Sequence, residues 1–243
     1  MKIAYLFYGY ARTHGQLINN YKTFLDCNND VFIETYDTFY SIKDIDDINY
    51  TDIVTYTSEE YFRQTFSNIK YCNISRQNNV LLNQIIINNK LPKHNQIGQL
   101  VIRTLSMFTT IQKLINAKIK YEKLHNFKYD CCVILRLDLL FNSKLIIPSN
   151  LNKLSYPHFY SFNEHNKIEG TAKVFGTDKC LNDQIMICNS DICNKLKDII
   201  NMIPFYYHKR NIMINNETLI GYQLIFNNID FSKEDFVTYK ILR

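Results

Sequence analysis

The stretch Tyr129–Phe141, YDCCVILRLDLLF, decides the fold of this chain. Cys131–Leu135 is an unbroken apolar run, and one arginine and one aspartate follow it. A short run of this kind reads as a buried strand of a parallel sheet, covered on both faces. Side chains of a strand alternate between faces, so Ile134, Arg136 and Asp138 are expected to point the same way. Ligands of open α/β sheets sit beyond the carboxyl ends of the strands. Two opposite charges at that place read as the floor of an active site. The plainer alternative is that Arg136 and Asp138 simply pair with each other.

The 243 residues are enough for one large α/β domain or two small ones, and with no linker or internal repeat one domain over 1–243 is the simplest organisation. A net charge of +5, spread along the chain, fits mild attraction for anionic ligands and gives no basic stripe for nucleic acid. No apolar run approaches the ~20 residues of a membrane span. The seven cysteines show no CxxC and no zinc-like spacing with histidine, so reduced cysteines in a cytoplasmic protein are expected.

In order, Lys2–Phe7 is expected as the first strand, with the loop YGYARTHG (Tyr8–Gly15) after it and a helix over Gln16–Leu25. Strands are expected at Asp30–Tyr36, Thr51–Tyr56 and Ile69–Ser75, with a helix starting at Ser58. Gln77–Ile87 has helical spacing, and Ile97–Leu124 reads as the longest helix, its buried stripe Leu100, Leu105, Phe108, Ile111, Ile115 and Ile119. After the organising strand, Asn150–Asp178 is expected to be irregular and to hold His158 and His165. Gln184–Cys188 is a short strand. Ser190 is expected to cap a helix that Pro204 stops at Ile203. Glu217–Phe226 is a last helix and Phe236–Leu242 a last strand.

Four segments carry a resemblance: GYART (Gly9–Thr13), DVFIETYD (Asp30–Asp37), the run Tyr121–Phe141 ending in RLD, and NDQIMICNS (Asn182–Ser190) with the helix at Glu217 behind it. Together they resemble a group of small glycosyltransferases with a GT-A-like nucleotide-sugar fold, found in bacterial polysaccharide clusters and large DNA viruses. The resemblance implies a Rossmann-like α/β fold with a mostly parallel sheet flanked by helices. It implies a nucleotide diphosphate sugar donor, UDP-sugar favoured, a glycan or glycoprotein acceptor, and a location in the cytoplasm (the host's, for a viral protein).

Such donors lose a diphosphate, so the enzyme must neutralise developing negative charge. Enzymes of this fold usually do so with Mn²⁺ or Mg²⁺ on an Asp-x-Asp motif, and both ions favour carboxylate and phosphate oxygens. Asp138 stands where the last aspartate would, but Arg136 occupies the first position. Asp138 is therefore the expected metal ligand, with His208 as a second candidate, and Arg136 can instead neutralise the diphosphate directly. Arg12 and Thr13 lie where the nucleotide would rest, and Asp37 could bind ribose hydroxyls. An inverting transfer needs a carboxylate base; Asp183 is the first candidate and Glu217 the second. Lys209 and Arg210 could also hold phosphate.

Each residue also has a structural reading: a loop arginine, turn aspartates, a helix-start glutamate, an exposed histidine. A non-catalytic binding protein on the same fold is the rival function, supported by Arg136 in the Asp-x-Asp position. A dehydrogenase or P-loop enzyme is disfavoured because no GxGxxG or GxxxxGK[ST] follows a strand. A serine hydrolase is disfavoured because there is no GxSxG.

Overall fold

The computed structural model describes residues 1–11, 14–36, 38–41, 51–54, 58–95, 98–157 and 181–241. Its centre is β6, Cys131–Arg136, flanked by β1, Ile3–Tyr10. Both strands read as continuous apolar runs because both faces are covered. Ala4, Leu6, Tyr8, Cys132 and Ile134 join one core, and Tyr5, Phe7, Cys131, Val133 and Leu135 join the other. Each fully buried aliphatic or aromatic side chain contributes about 1.5–3 kcal/mol, so a strand with two buried faces is pinned in register from both sides.

Four parallel strands lie side by side: β6, β1, β2 (Asp30–Tyr36) and β5 (Ile69–Ser75). On the other side of β6 come β9 (Ile185–Cys188), which is antiparallel, then β8 (Leu154–Tyr156) and β10 (Phe231–Lys233). The seven-stranded order is β10-β8-β9-β6-β1-β2-β5. The expected mostly parallel α/β sheet is therefore present. A hairpin of β3 (Thr38–Ser41) and β4 (Thr51–Val54) stands apart from it, as does β7 (Leu139–Phe141) paired with β11 (Tyr239–Ile241).

Helix α1 (His14–Phe24) and the short α2 (Glu59–Arg63) lie in chain order on the side of the core formed by Leu17, Tyr21, Phe62 and Phe66. The opposite core takes side chains from α3 (Asn79–Asn88), α4 (Val101–Leu124), α5 (Ser190–Leu196), α6 (Ile199–Arg210) and α7 (Asn216–Phe226). Among the described residues, no helix is long and apolar enough to cross a membrane. The six described cysteines are free thiols.

Several boundaries differ from the sequence reading for local reasons. Helix α4 begins at Val101, not at Ile97, because Gly98 has φ +77 and Asn95 closes a turn around it. A left-handed residue cannot sit inside a right-handed helix. Asn189, not Ser190, caps α5: its side chain accepts from the Ile192 N–H. The helix expected to end at Ile203 is two helices, and Pro204 lies inside the second. A proline there removes one backbone bond. Burial of Ile199, Ile200, Ile203 and Tyr206 on either side of it keeps α6 helical. The stretch expected to be irregular contains β8, β10 was not foreseen, and Thr51–Val54 pairs in the side hairpin rather than in the main sheet.

Candidate active site

Strand order reverses between β1 and β6. The chain continues from β1 to β2 and β5 on one side, and from β6 to β8 and β9 on the other. Beyond the carboxyl ends of two such strands the connections diverge, which leaves a crevice where α/β sheets bind ligands. Arg136 ends β6, and its register partner Tyr8 lies two residues before the end of β1. The residues singled out at the end of the organising strand thus lie at the topological switch point.

The chain turns sharply after Arg136. The Leu137 N–H donates to the Tyr8 carbonyl at 3.0 Å, and the Tyr21 hydroxyl donates to the Leu137 carbonyl at 2.8 Å. This turn brings Asp138 back beside Arg136. Nε donates to Oδ1 at 2.9 Å and Nη2 to Oδ2 at 2.6 Å, a bidentate fork. Burial works against the charged guanidinium, but the Asp138 charge and hydrogen bonds outweigh it and raise its pKa above the ordinary arginine value. The Asp138 side chain is 6% exposed and that of Arg136 29%, so the pair has a buried and an open end. The pairing left open by the sequence is present, and it lies at the switch point.

Asp183 arrives from the loop before β9. The Arg136 N–H donates to the Gln184 carbonyl at 3.1 Å, and the Gln184 N–H donates to the Asn182 Oδ1 at 2.9 Å. Asn182 in turn donates to the Tyr239 hydroxyl, and Tyr8 donates its hydroxyl to the Asp183 carbonyl. Asn216, first residue of α7, donates Nδ2 to Asp183 Oδ2 at 2.9 Å. Burial raises the Asp183 pKa above the ordinary aspartate value, and the nearby Asp138 charge adds to this; Arg136 and Asn216 pull the other way without reversing it.

Glu217 occupies the first turn of α7, where the helix dipole favours a carboxylate. Burial, reinforced by the Asp183 charge, still pushes it up to about 7. Desolvation wins because the dipole contributes only ~0.3–1 kcal/mol at a helix end. Burial also drives the Tyr8 phenol well above its usual range, so its hydroxyl remains a donor. The arrangement can therefore do two things: present a guanidinium to an anion, and take up a proton near neutral pH.

Arg136, Asp138, Asp183 and Glu217 are thus gathered in one place. His208 is not brought to them: it is exposed in the last turn of α6, its ring Nε2 2.7 Å from the Asn89 carbonyl. Lys209 and Arg210 are exposed beside it, with Arg210 over the Phe205 ring. Arg12, Thr13, Asp37, His158 and His165 lie outside the described residues. Among the described residues, no group of three His, Cys, Asp or Glu side chains could hold a metal ion. Both carboxylate oxygens of Asp138 face Arg136. A metal ion at Asp138 would have to compete with the Arg136 guanidinium for these oxygens.

Four participants were not foreseen: Tyr8, Asn182, Asn216 and Tyr239. Asn216 had a faint signal, since a second asparagine between the cap Asn215 and Glu217 is not needed to start the helix. No protein-family model matches the chain, and no curated protein matches it.

Proposed function

We propose that this chain is a glycosyltransferase that moves a sugar from a nucleotide diphosphate sugar, UDP-sugar favoured, to a hydroxyl of a glycan or glycoprotein. The observation that supports this most is the placement of Arg136 and two carboxyls of raised pKa together at the switch point of a mostly parallel sheet.

The open side of Arg136 faces the leaving diphosphate. Its Nε and Nη2 are engaged by Asp138, which fixes the plane of the guanidinium and leaves the Nη1 edge outside the pair. In transfer, the acceptor hydroxyl oxygen bonds to the anomeric carbon as the bond from that carbon to the diphosphate oxygen breaks. The electron pair leaves with the diphosphate, whose charge Arg136 stabilises. The hydroxyl proton goes to Asp183, with Glu217 beside it to share the charge. The rival reading, a binding protein without turnover, is favoured by one observation: Asp138 already neutralises Arg136 and weakens its pull on phosphate.

A thermal-shift panel tests the proposal: UDP, GDP, CMP, TDP and NAD, each with and without Mn²⁺. A ligand at a hundredfold over its Kd stabilises the native state by about 2.7 kcal/mol, or roughly 5–10 °C for a chain of this size. One nucleoside diphosphate is expected to give such a shift, and to lose it in Arg136→Met. A shift that survives in Arg136→Met but requires Mn²⁺ would return the diphosphate to a metal. No shift with any compound would overturn the nucleotide-sugar reading.

A further inference from the structure

Three buried side-chain atoms among the described residues lack a hydrogen-bond partner: Ser75 Oγ, Asn194 Oδ1 and Asn216 Oδ1. A buried polar atom left unpaired costs on the order of 1–3 kcal/mol, so each calls for a reason. Asn216 Oδ1 is the one beside the carboxyls of the candidate site. Its orientation is not arbitrary. The same amide donates Nδ2 to Asp183 Oδ2 at 2.9 Å, and a flipped amide would set its oxygen against a carboxylate. Oδ1 is thereby held as an acceptor that only a donor can satisfy.

The helix does not need this side chain. Asn215 caps α7 by accepting from the Thr218 N–H at 2.8 Å, which leaves the Asn216 side chain free to reach Asp183. We infer that Asn216 is the positioning residue of the site: its Nδ2 fixes Asp183 in one orientation, and its Oδ1 accepts a hydroxyl from the sugar substrate. The second half rests on the transfer reading above; the first does not. A hydroxyl has a single proton, so the one that donates to Oδ1 is a neighbour, on the same sugar, of the hydroxyl that gives its proton to Asp183. One amide then aligns both partners of the proton transfer.

Asp183 is also faced by Arg136 from β6, Asp138 from the turn after it, Tyr8 from β1, Glu217 from α7 and Tyr239 from β11. The experiment is a ¹³C NMR titration of the Asp183 carboxyl in the full chain, in wild type, Asn216→Ala and Asn216→Asp. Asn216→Ala removes a donor to the carboxylate, and the Asp183 midpoint is expected to rise by about one pH unit. Asn216→Asp keeps the shape but sets a carboxylate against Asp183 in place of a donor, and is expected to raise the Asp183 midpoint further than Asn216→Ala does. An unmoved midpoint in either variant would overturn the positioning role.

Turnover is read in parallel with UDP-glucose, UDP-galactose and GDP-mannose. Asn216→Ala is expected to raise KM about tenfold, as for one lost substrate hydrogen bond, and to move the acid limb of kcat/KM upward with Asp183. An unchanged KM overturns the hydroxyl contact. No turnover by the wild-type chain overturns the transfer reading and the hydroxyl contact together, while the Asp183 midpoint still decides the positioning role.

Discussion

Among the described residues, two of the buried ionic clusters on this sheet are built to opposite ends. Beneath α5, Lys118 is fully buried and donates to Ser190 Oγ and to Glu122 Oε2, the latter at 3.1 Å. Ser190 donates to Glu122 Oε1 at 2.7 Å, and the Tyr129 N–H donates to the same oxygen at 2.9 Å. Charge meets charge there and the carboxylate has three protein donors. At the switch point, Arg136 also meets Asp138, but Asp183 and Glu217 crowd the same space and an amide oxygen stays unpaired. A closed network holds elements together; an incomplete one stores unfavourable charge that a ligand can relieve. The first cluster ties α4 to α5 and to the start of β6.

Removing one partner from the closed cluster should have the largest effect on folding. Lys118→Met leaves Glu122 buried without its counter-charge and is expected to cost about 3–5 kcal/mol in urea unfolding. Nucleotide binding by the folded fraction should be unchanged; a variant that folds normally and loses only binding would erase the distinction between the clusters.

Glu217→Gln should act in the opposite direction. A carboxyl whose folded pKa is raised binds more protons in the native state than in the unfolded one. Stability is then full below the ordinary glutamate value of 4.5 and falls as pH rises to about 7. The glutamine variant removes that fall and is expected to be more stable at pH 8, by about 2 kcal/mol after allowance for solvent screening. It should also move the acid limb of kcat/KM to lower pH, since no neighbouring Glu217 charge then opposes ionisation of Asp183, the carboxyl that takes the proton. Equal stability of variant and wild type at pH 8 would mean that Glu217 is not strained.

The smallest effect separates a cap from a network member. Asn189→Ala removes the hydrogen bond that starts α5 and is expected to cost about 1 kcal/mol. Ser190→Ala removes the hydroxyl that bridges Lys118 and Glu122 and should cost somewhat more, about 1–3 kcal/mol. The reverse order would return Ser190 to the capping role that its position suggests.

What the sequence made legible follows from where local signals are strong. Cys131–Leu135 reads as a strand buried on both faces, and that placed Arg136 at the sheet's carboxyl edge. Asp183 stood out beside its short apolar strand, and Glu217 in a helix first turn. Pro204 misled because its penalty is local, while the burial that overrules it comes from distant elements. Lys118 hid in the buried stripe of α4, since nothing nearby in sequence announces Ser190, 72 residues on, as a partner. Tyr8 and Tyr239 reach the site through register and topology, which no window of sequence contains. His208 looked like a ligand by type, yet α6 carries it to the end of α3.

The most direct measurement is release of nucleoside diphosphate from nucleotide sugars by the wild-type chain and by Asp183→Asn. The wild type is expected to turn over one donor. Asp183→Asn should keep the nucleotide-induced thermal shift and lose about 10²–10⁴-fold in kcat, the range of a missing general base. A variant that turns over at the wild-type rate would contradict the assignment of this carboxyl, and with it the account of the switch-point cluster as a transferase site.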